Sequence, residues 1–188
     1  MTTTELENMI QLSAFNKNKY EVNIPVRRFI SSIMEYINDE AEPTFDNILQ
    51  LGVPVFQRNN DKWSLDMQIK FVENVIKGFV PKIQLFILEE EYRKKNLVGC
   101  QILDGLQRTT ALAKFINGDF EIFDGIHYDD ISGNILRGLS KTVVLEVFIF
   151  DNTDDVIDFY VEMNENITHS AEDIDKALSF KTNKQKEV

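Results

Sequence analysis

The residues best equipped for chemistry in this chain stand together between positions 100 and 117, in C-Q-I-L-D-G-L-Q-R-T-T-A-L-A-K-F-I-N. Gln101, Ile102 and Leu103 read as a short apolar strand, Asp104 and Gly105 as a turn, and Gln107, Arg108, Thr109 and Thr110 as the first turn of a helix. The first N–H groups of a helix have no internal acceptor, and the helix dipole favours negative charge beside them. A strand that breaks at glycine and re-enters as a helix can therefore hold a phosphate. Arg108 adds a planar, permanently charged fork that suits the same ligand. The plainer reading is an ordinary Asp-Gly turn with a chance arginine, and on this stretch alone it has precedence. Neither of the glycine-rich phosphate patterns, G-x-x-x-x-G-K-[ST] and G-x-G-x-x-G, is present.

Two more polar islands lie between apolar elements, Gln57-Arg58 and Asn164-Glu165-Asn166. Polar residues at the ends of regular elements are either solvated termini or parts of a site. Three such islands favour a shared cleft. Other chemistries find little support. His127 and His169 are the only histidines, and neither sits in a metal-binding spacing. No G-x-S-x-G elbow is present. Asp129-Asp130 and Asp154-Asp155 read as a loop and a helix start. The single Cys100 excludes an internal disulfide and a multi-cysteine zinc site, and beside an apolar run it reads as a buried, inert thiol. Trp63 reads as a packing anchor, with stacking on a base as the sharper alternative.

The elements that must position these residues follow from periodicity. Residues 22–25 are extended, and Pro25 suits entry into a helix over 26–39. Pro54 argues against a central strand over 48–56. Ser64 caps a helix over 65–77, with Leu65, Ile69, Val72, Val75, Ile76 and Phe79 as its buried stripe and Gly78 as its end. A strand over 83–88 is followed by a charged hairpin connection over 89–96 and a returning strand over 97–103. The helix after the central turn ends near Asn117-Gly118. Alternating residues around Asp124-Gly125 predict a hairpin over 120–128. The run T-V-V-L-E-V-F-I-F at 142–150 is the most strand-like in the chain. Asn152 caps a helix over 153–163, and a last helix runs over 171–180. The expected class is α+β, a small mixed sheet with helices beside it. Residues 1–47 form an arm and helix, 48–180 the main domain and 181–188 a frayed tail.

The totals fit this plan. The chain has 188 residues, 43% hydrophobic, with 14 Phe, enough apolar matter for a real core. Its formal net charge of −11 opposes nucleic acid unless basic groups gather locally, and favours a basic protein partner. No leader-like segment and no apolar run of membrane-spanning length occurs, so a cytoplasmic protein without a membrane partner is expected.

Taken in order, V-P-V-F-Q-R-N-N-D-K-W-S, P-K-I-Q-L-F, Q-I-L-D-G-L-Q-R-T-T-A-L and F-Y-V-E-M-N-E-N-I-T-H-S-A-E-D resemble the N-terminal domain of GmrSD-type modification-dependent restriction enzymes. That family is marked by I-P-x-Y-Q-R…W, I-D-G-Q-Q-R-L-T-T-L and a later F-x-x-x-N, and the resemblance spans about residues 50–178. It implies a fold like that of the partitioning protein ParB and of sulfiredoxin, and an NTP (GTP, ATP or CTP) bound with Mg²⁺. It implies that Asp104, Gly105, Gln107, Arg108, Thr109 and Thr110 hold the phosphates, with Gln57, Arg58 and Asn164 lining the same cleft. Asp104 and Gln107 are the candidates for catalysis, Asp104 more simply as the cap of the turn. The implied role is regulatory, in a restriction, defence or phage counter-defence system, with a restriction or host protein as partner. Leu106 stands where the family has glutamine, and Thr109 where it has leucine, so binding is expected to outlast efficient hydrolysis. The chain carries no H-N-H-like histidine cluster, and it is not expected to cut DNA by itself. Two other classes remain: a non-enzymatic acidic interaction protein, and a DNA-binding or nicking protein of the ParB fold.

Overall fold

The run at 142–150 forms the longest strand among the described residues because most of it is β-branched or aromatic and both faces of it are covered. In a computed structural model, residues 18–25, 52–54, 56–57, 62–94, 100–132, 142–164 and 171–181 are described. The strands are β1 (Lys19–Pro25), β2 (Lys82–Leu88), β3 (Gln101–Asp104) and β4 (Thr142–Phe150). The helices are α1 (Leu65–Lys77), α2 (Glu89–Arg93), α3 (Leu106–Ile116), α4 (Tyr128–Ser132), α5 (Thr153–Asn164) and α6 (Ala171–Ser179). The expected α+β class holds: one mixed sheet in the order β1-β4-β2-β3, antiparallel at both edges and parallel between β4 and β2.

Strand alternation divides the core in two. Ile83, Val143 and Leu145 face α1 and α3, where they meet Phe71, Val72, Val75, Ala111, Leu112 and Phe115. Phe86, Phe148 and Phe150 face the other way, onto Val156, Ile157, Phe159 and Tyr160 of α5 and Ala177 of α6. Helix α1 begins where expected: the Ser64 hydroxyl accepts from the Met67 N–H at 3.3 Å, and Gly78 ends it at φ 117°. Its buried face is Gln68, Phe71, Val72 and Val75. Leu65 and Phe79, expected inside, are each 53% exposed. The face is rotated because Phe71 takes the core position beside α3.

The charged stretch after β2 leads into the antiparallel partner β3, as expected, and its first residues form a short helix, α2, laced by Arg93–Glu89 and Lys94–Glu90 ion pairs at i,i+4 spacing. One further expectation is corrected. The D-G stretch is not a strand hairpin. Ile122 and Ile126 make one isolated bridge across Phe123, Asp124 and Gly125, all at positive φ. Phe120 and Ile122 are drawn into the core under α3, so packing replaces the ladder. The extended reading at 22–25 grows into β1, whose Pro25 lies at the end of an edge strand, where a missing N–H is tolerated. The helix expected over 26–39 lies outside the described residues, as do His169 and residues 182–188 of the tail. No helix among the described residues is long and apolar enough to cross a membrane.

Glu146 is a charge inside β4, only 5% exposed. It is satisfied from both neighbouring strands: Lys19 of β1 at 2.7 Å, Lys82 of β2 at 2.9 Å and the Gln84 amide at 2.7 Å. Burial pushes its pKa up, but the hydrogen bonds from Lys19, Lys82 and Gln84 outweigh that and hold it at about 2. The folded carboxyl thus titrates below its ordinary value of 4.5. Its stabilisation is present above that ordinary value and disappears as pH falls towards about 2. Both lysines are half exposed, so solvent screening limits the contribution to about 2 kcal/mol. Urea melts should show wild type losing stability between pH 4.5 and 2 more steeply than Glu146→Gln, by about that amount. Parallel pH profiles would remove Glu146 from this role.

Candidate functional site

The turn between β3 and α3 is built on a bulge. Gln84 pairs with Asp104 and Leu85 with Ile102, which leaves Leu103 as the extra residue. Bulges re-aim a strand end. Here the bulge delivers Asp104 and Gly105 to the start of α3. Gly105 is the N-cap at φ 101°, and no side chain among the described residues caps the helix. A Cβ on Gly105 would sit 3.3 Å from the Ile83 Cα and 3.2 Å from its Cγ1. Only glycine permits both the left-handed backbone and this close approach to β2. The N–H groups of Leu106, Gln107 and Arg108 precede the first intrahelical bond, which runs from the Thr109 N–H to the Gly105 carbonyl at 2.9 Å. Asp104 was expected to cap the turn. It does not; its carboxylate lies 3.4 Å from Arg108 Nη1 instead.

Arg108 braces the turn. Its Nη1 donates to the Lys82 carbonyl at 2.7 Å, tying the first turn of α3 to the start of β2, while the side chain stays about one-third exposed. The Thr109 and Thr110 hydroxyls are buried and donate to the Gly105 and Leu106 carbonyls at 3.1 and 2.9 Å. Leu106 is 6% exposed, so the position after the glycine is a core side chain here.

Gln107 points inward. Its Oε1 accepts the Trp63 N–H at 3.3 Å, while its buried Nε2 has no partner among the described residues. Gln68 of α1 donates to the Trp63 carbonyl at 3.1 Å, and its own Oε1 is likewise orphaned. Two buried glutamines thus hold the N–H and the carbonyl of one residue, Trp63, leaving one donor and one acceptor without a partner among the described residues. Buried orphans of this kind cost about 1–3 kcal/mol each and mark places where a water or ligand completes the set.

Gln57 and Asn164 belong to the other side of the sheet. The Gln57 amide donates to the Ile102 and Leu103 carbonyls at 3.3 and 3.2 Å and accepts the Tyr160 hydroxyl at 2.8 Å. Asn164 donates to the Tyr160 carbonyl one helical turn back. Lys176 of α6 reaches the Gln57 carbonyl at 2.8 Å. The structure therefore joins Gln57, Tyr160 and Asn164 in one buried network on the carbonyls just before Asp104. Arg58 lies outside the described residues.

Sequence reasoning missed Gln68, Tyr160 and Glu146. Gln68 had a usable signal, since 68, 71, 72 and 75 are helically spaced and one of them is polar. Glu146 had another, as a lone charge in an apolar strand run. Tyr160 had none. Cys100 is half-buried, and burial pushes its thiol up to about 11, which suits the inert reading. Comparison with protein-family models, with curated proteins and with solved structures found no match, so the reading of the site rests on its own geometry.

Proposed function

We propose that this chain is a nucleotide-binding regulatory domain of a DNA restriction or counter-defence system, with a ParB/sulfiredoxin-like arrangement and the phosphates held on the turn at 104–108. The observation that carries this reading is the Gly105 turn itself. It is a left-handed strand-to-helix junction with an arginine at its mouth and, among the described residues, no side-chain cap and no partner for a buried amide, Gln107 Nε2, in its first helical turn. Asp104 contributes one half-exposed carboxylate beside it. That suits Mg²⁺, which keeps most of its waters and binds one or two carboxylates together with substrate phosphates. Asp104 would then leave Arg108 for the metal, and Arg108, its Nη1 still held by the Lys82 carbonyl, would present another guanidinium N–H to a phosphate oxygen. With Leu106 in the core, the turn offers no side-chain amide next to Gly105 to orient an attacking water, which favours binding over turnover. Gln57 and Asn164 support the turn from beneath rather than touch the ligand.

Calorimetry with GTP, ATP and CTP in the presence of Mg²⁺ tests the reading. At least one should bind at micromolar to millimolar concentration, and Arg108→Ala should weaken it by roughly 10- to 100-fold through loss of one charge-assisted contact. No heat with any of the three at millimolar concentration, or an unchanged affinity in Arg108→Ala, overturns it.

A further inference from the structure

One side of α1 carries an open apolar groove that the phosphate turn does not use. Trp63, Met67, Lys70, Phe71, Asn74 and Phe79 line a space of about 340 Å³. That is within the range of small-molecule sites, about 300–1000 Å³. Three rings form its wall: Trp63 meets Phe71 edge-on at 5.3 Å between centroids, and Phe71 meets Phe79 at 6.3 Å. Phe79 and Met67 are half exposed. Met67 from the first turn of α1 and Phe79 just past its end line the groove rather than the core. The polar groups are few, as such sites require. Asn74 carries an amide with both donor and acceptor, and Lys70 an exposed ammonium 3.6 Å from Glu73.

The groove is tied to the turn by its own wall. The Trp63 backbone N–H is bonded to the side chain of Gln107 in the first turn of α3. Gln68 holds the Trp63 carbonyl from the other side. An aromatic wall that starts at the end of a phosphate turn, with a donor–acceptor amide beyond it, fits one occupant. Resting on the reading above, we propose that this groove receives the heteroaromatic base of the nucleotide whose phosphates lie at 104–108. The base stacks on the exposed faces of the Trp63–Phe79 wall, and its hydrogen-bonding edge meets Asn74. Stacking of this kind accepts any base, and the Asn74 amide then discriminates between them.

Trp63 is the only tryptophan in the chain, so its fluorescence reports on this groove alone. Three probes separate the parts of the claim: the Mg²⁺ complexes of GTP, ATP and CTP, sodium tripolyphosphate with Mg²⁺, and the corresponding nucleosides. The nucleoside triphosphate that binds best should quench Trp63. Tripolyphosphate should compete with it in calorimetry without quenching. Phe79→Ala should weaken that nucleotide by about tenfold while tripolyphosphate is unaffected, and Phe79 is exposed enough for the variant to fold. Asn74→Ala should narrow the affinity differences among the three nucleotides. Nucleotide and tripolyphosphate binding with equal affinity, without quenching by either, overturns the base groove and leaves the phosphate turn standing. Binding of neither overturns the phosphate turn and the groove with it.

Discussion

Gly105→Ala is expected to lower the melting temperature by roughly 4–10 °C and to remove tripolyphosphate binding in the protein that still folds. Two separate penalties meet at this position. The backbone at φ 101° is one that L side chains rarely adopt, and holding a non-glycine residue there costs about 1–3 kcal/mol. The added methyl would also press within 3.3 Å of the Ile83 Cα, which cannot rotate away as a side-chain end could. Ile83 is fully buried in a central strand, so the strain moves α3 instead. Any such movement tilts the first N–H groups of the helix away from the ligand position. Gly118 is the control. It closes α3 at φ 81°, but a Cβ there has nothing within 4 Å. Gly118→Ala should cost only the backbone term, about 1 kcal/mol, and leave tripolyphosphate affinity unchanged. Equal melting temperatures for the two variants would show that contact with Ile83 is unimportant. Intact tripolyphosphate binding in Gly105→Ala would move the anion away from this turn.

The features legible in the sequence were those fixed by neighbours in the chain. Ser64 and Gly78 bracket α1 because caps act within a turn. The strand at 142–150 is legible because its composition admits nothing else. The Gly105 junction is legible because a D-G pair between an apolar strand and a helical stripe has few conformations available. What pairing decides was not legible. Val22 lies opposite Leu145 and Tyr20 opposite Val147, a register set by the sheet and carried by no local pattern. The D-G stretch at 124–125 illustrates the same limit. Its alternation suited a hairpin, yet Phe120 and Ile122 gain more by burial against Phe115 and its neighbours than from a two-strand ladder at the surface. At the site, residue types were readable and their facing was not. Thr109 and Thr110 suit a phosphate by type, but the helix turns their hydroxyls back onto its own carbonyls.

Gln57→Leu should be the most destabilising single change at the site, by roughly 3–5 kcal/mol, because it removes one side chain from three buried partners at once. The amide of Gln57 satisfies the Ile102 and Leu103 carbonyls, which lie 45 and 46 positions away, and the Tyr160 hydroxyl 103 positions away. Leucine fills much of the same volume, so little of the loss comes from a cavity. What remains are buried carbonyls without that donor and a phenol without that acceptor, each costing about 1–3 kcal/mol. Tyr160→Phe removes only the hydroxyl, and should cost about 1–2 kcal/mol. Because the two residues share a hydrogen bond, the double variant should be more stable than the sum of the single losses implies, with a coupling of about 1 kcal/mol in urea melts. The effect on ligand separates structure from contact. If Gln57 acts only by holding the strand end that carries Asp104, folded Gln57→Leu should bind tripolyphosphate within about threefold of wild type. A residue that touched the phosphates would instead lose affinity with little loss of stability. The opposite pattern to the one expected, an unchanged urea midpoint and lost binding, would return Gln57 to the ligand and place the buried network described above in a secondary role.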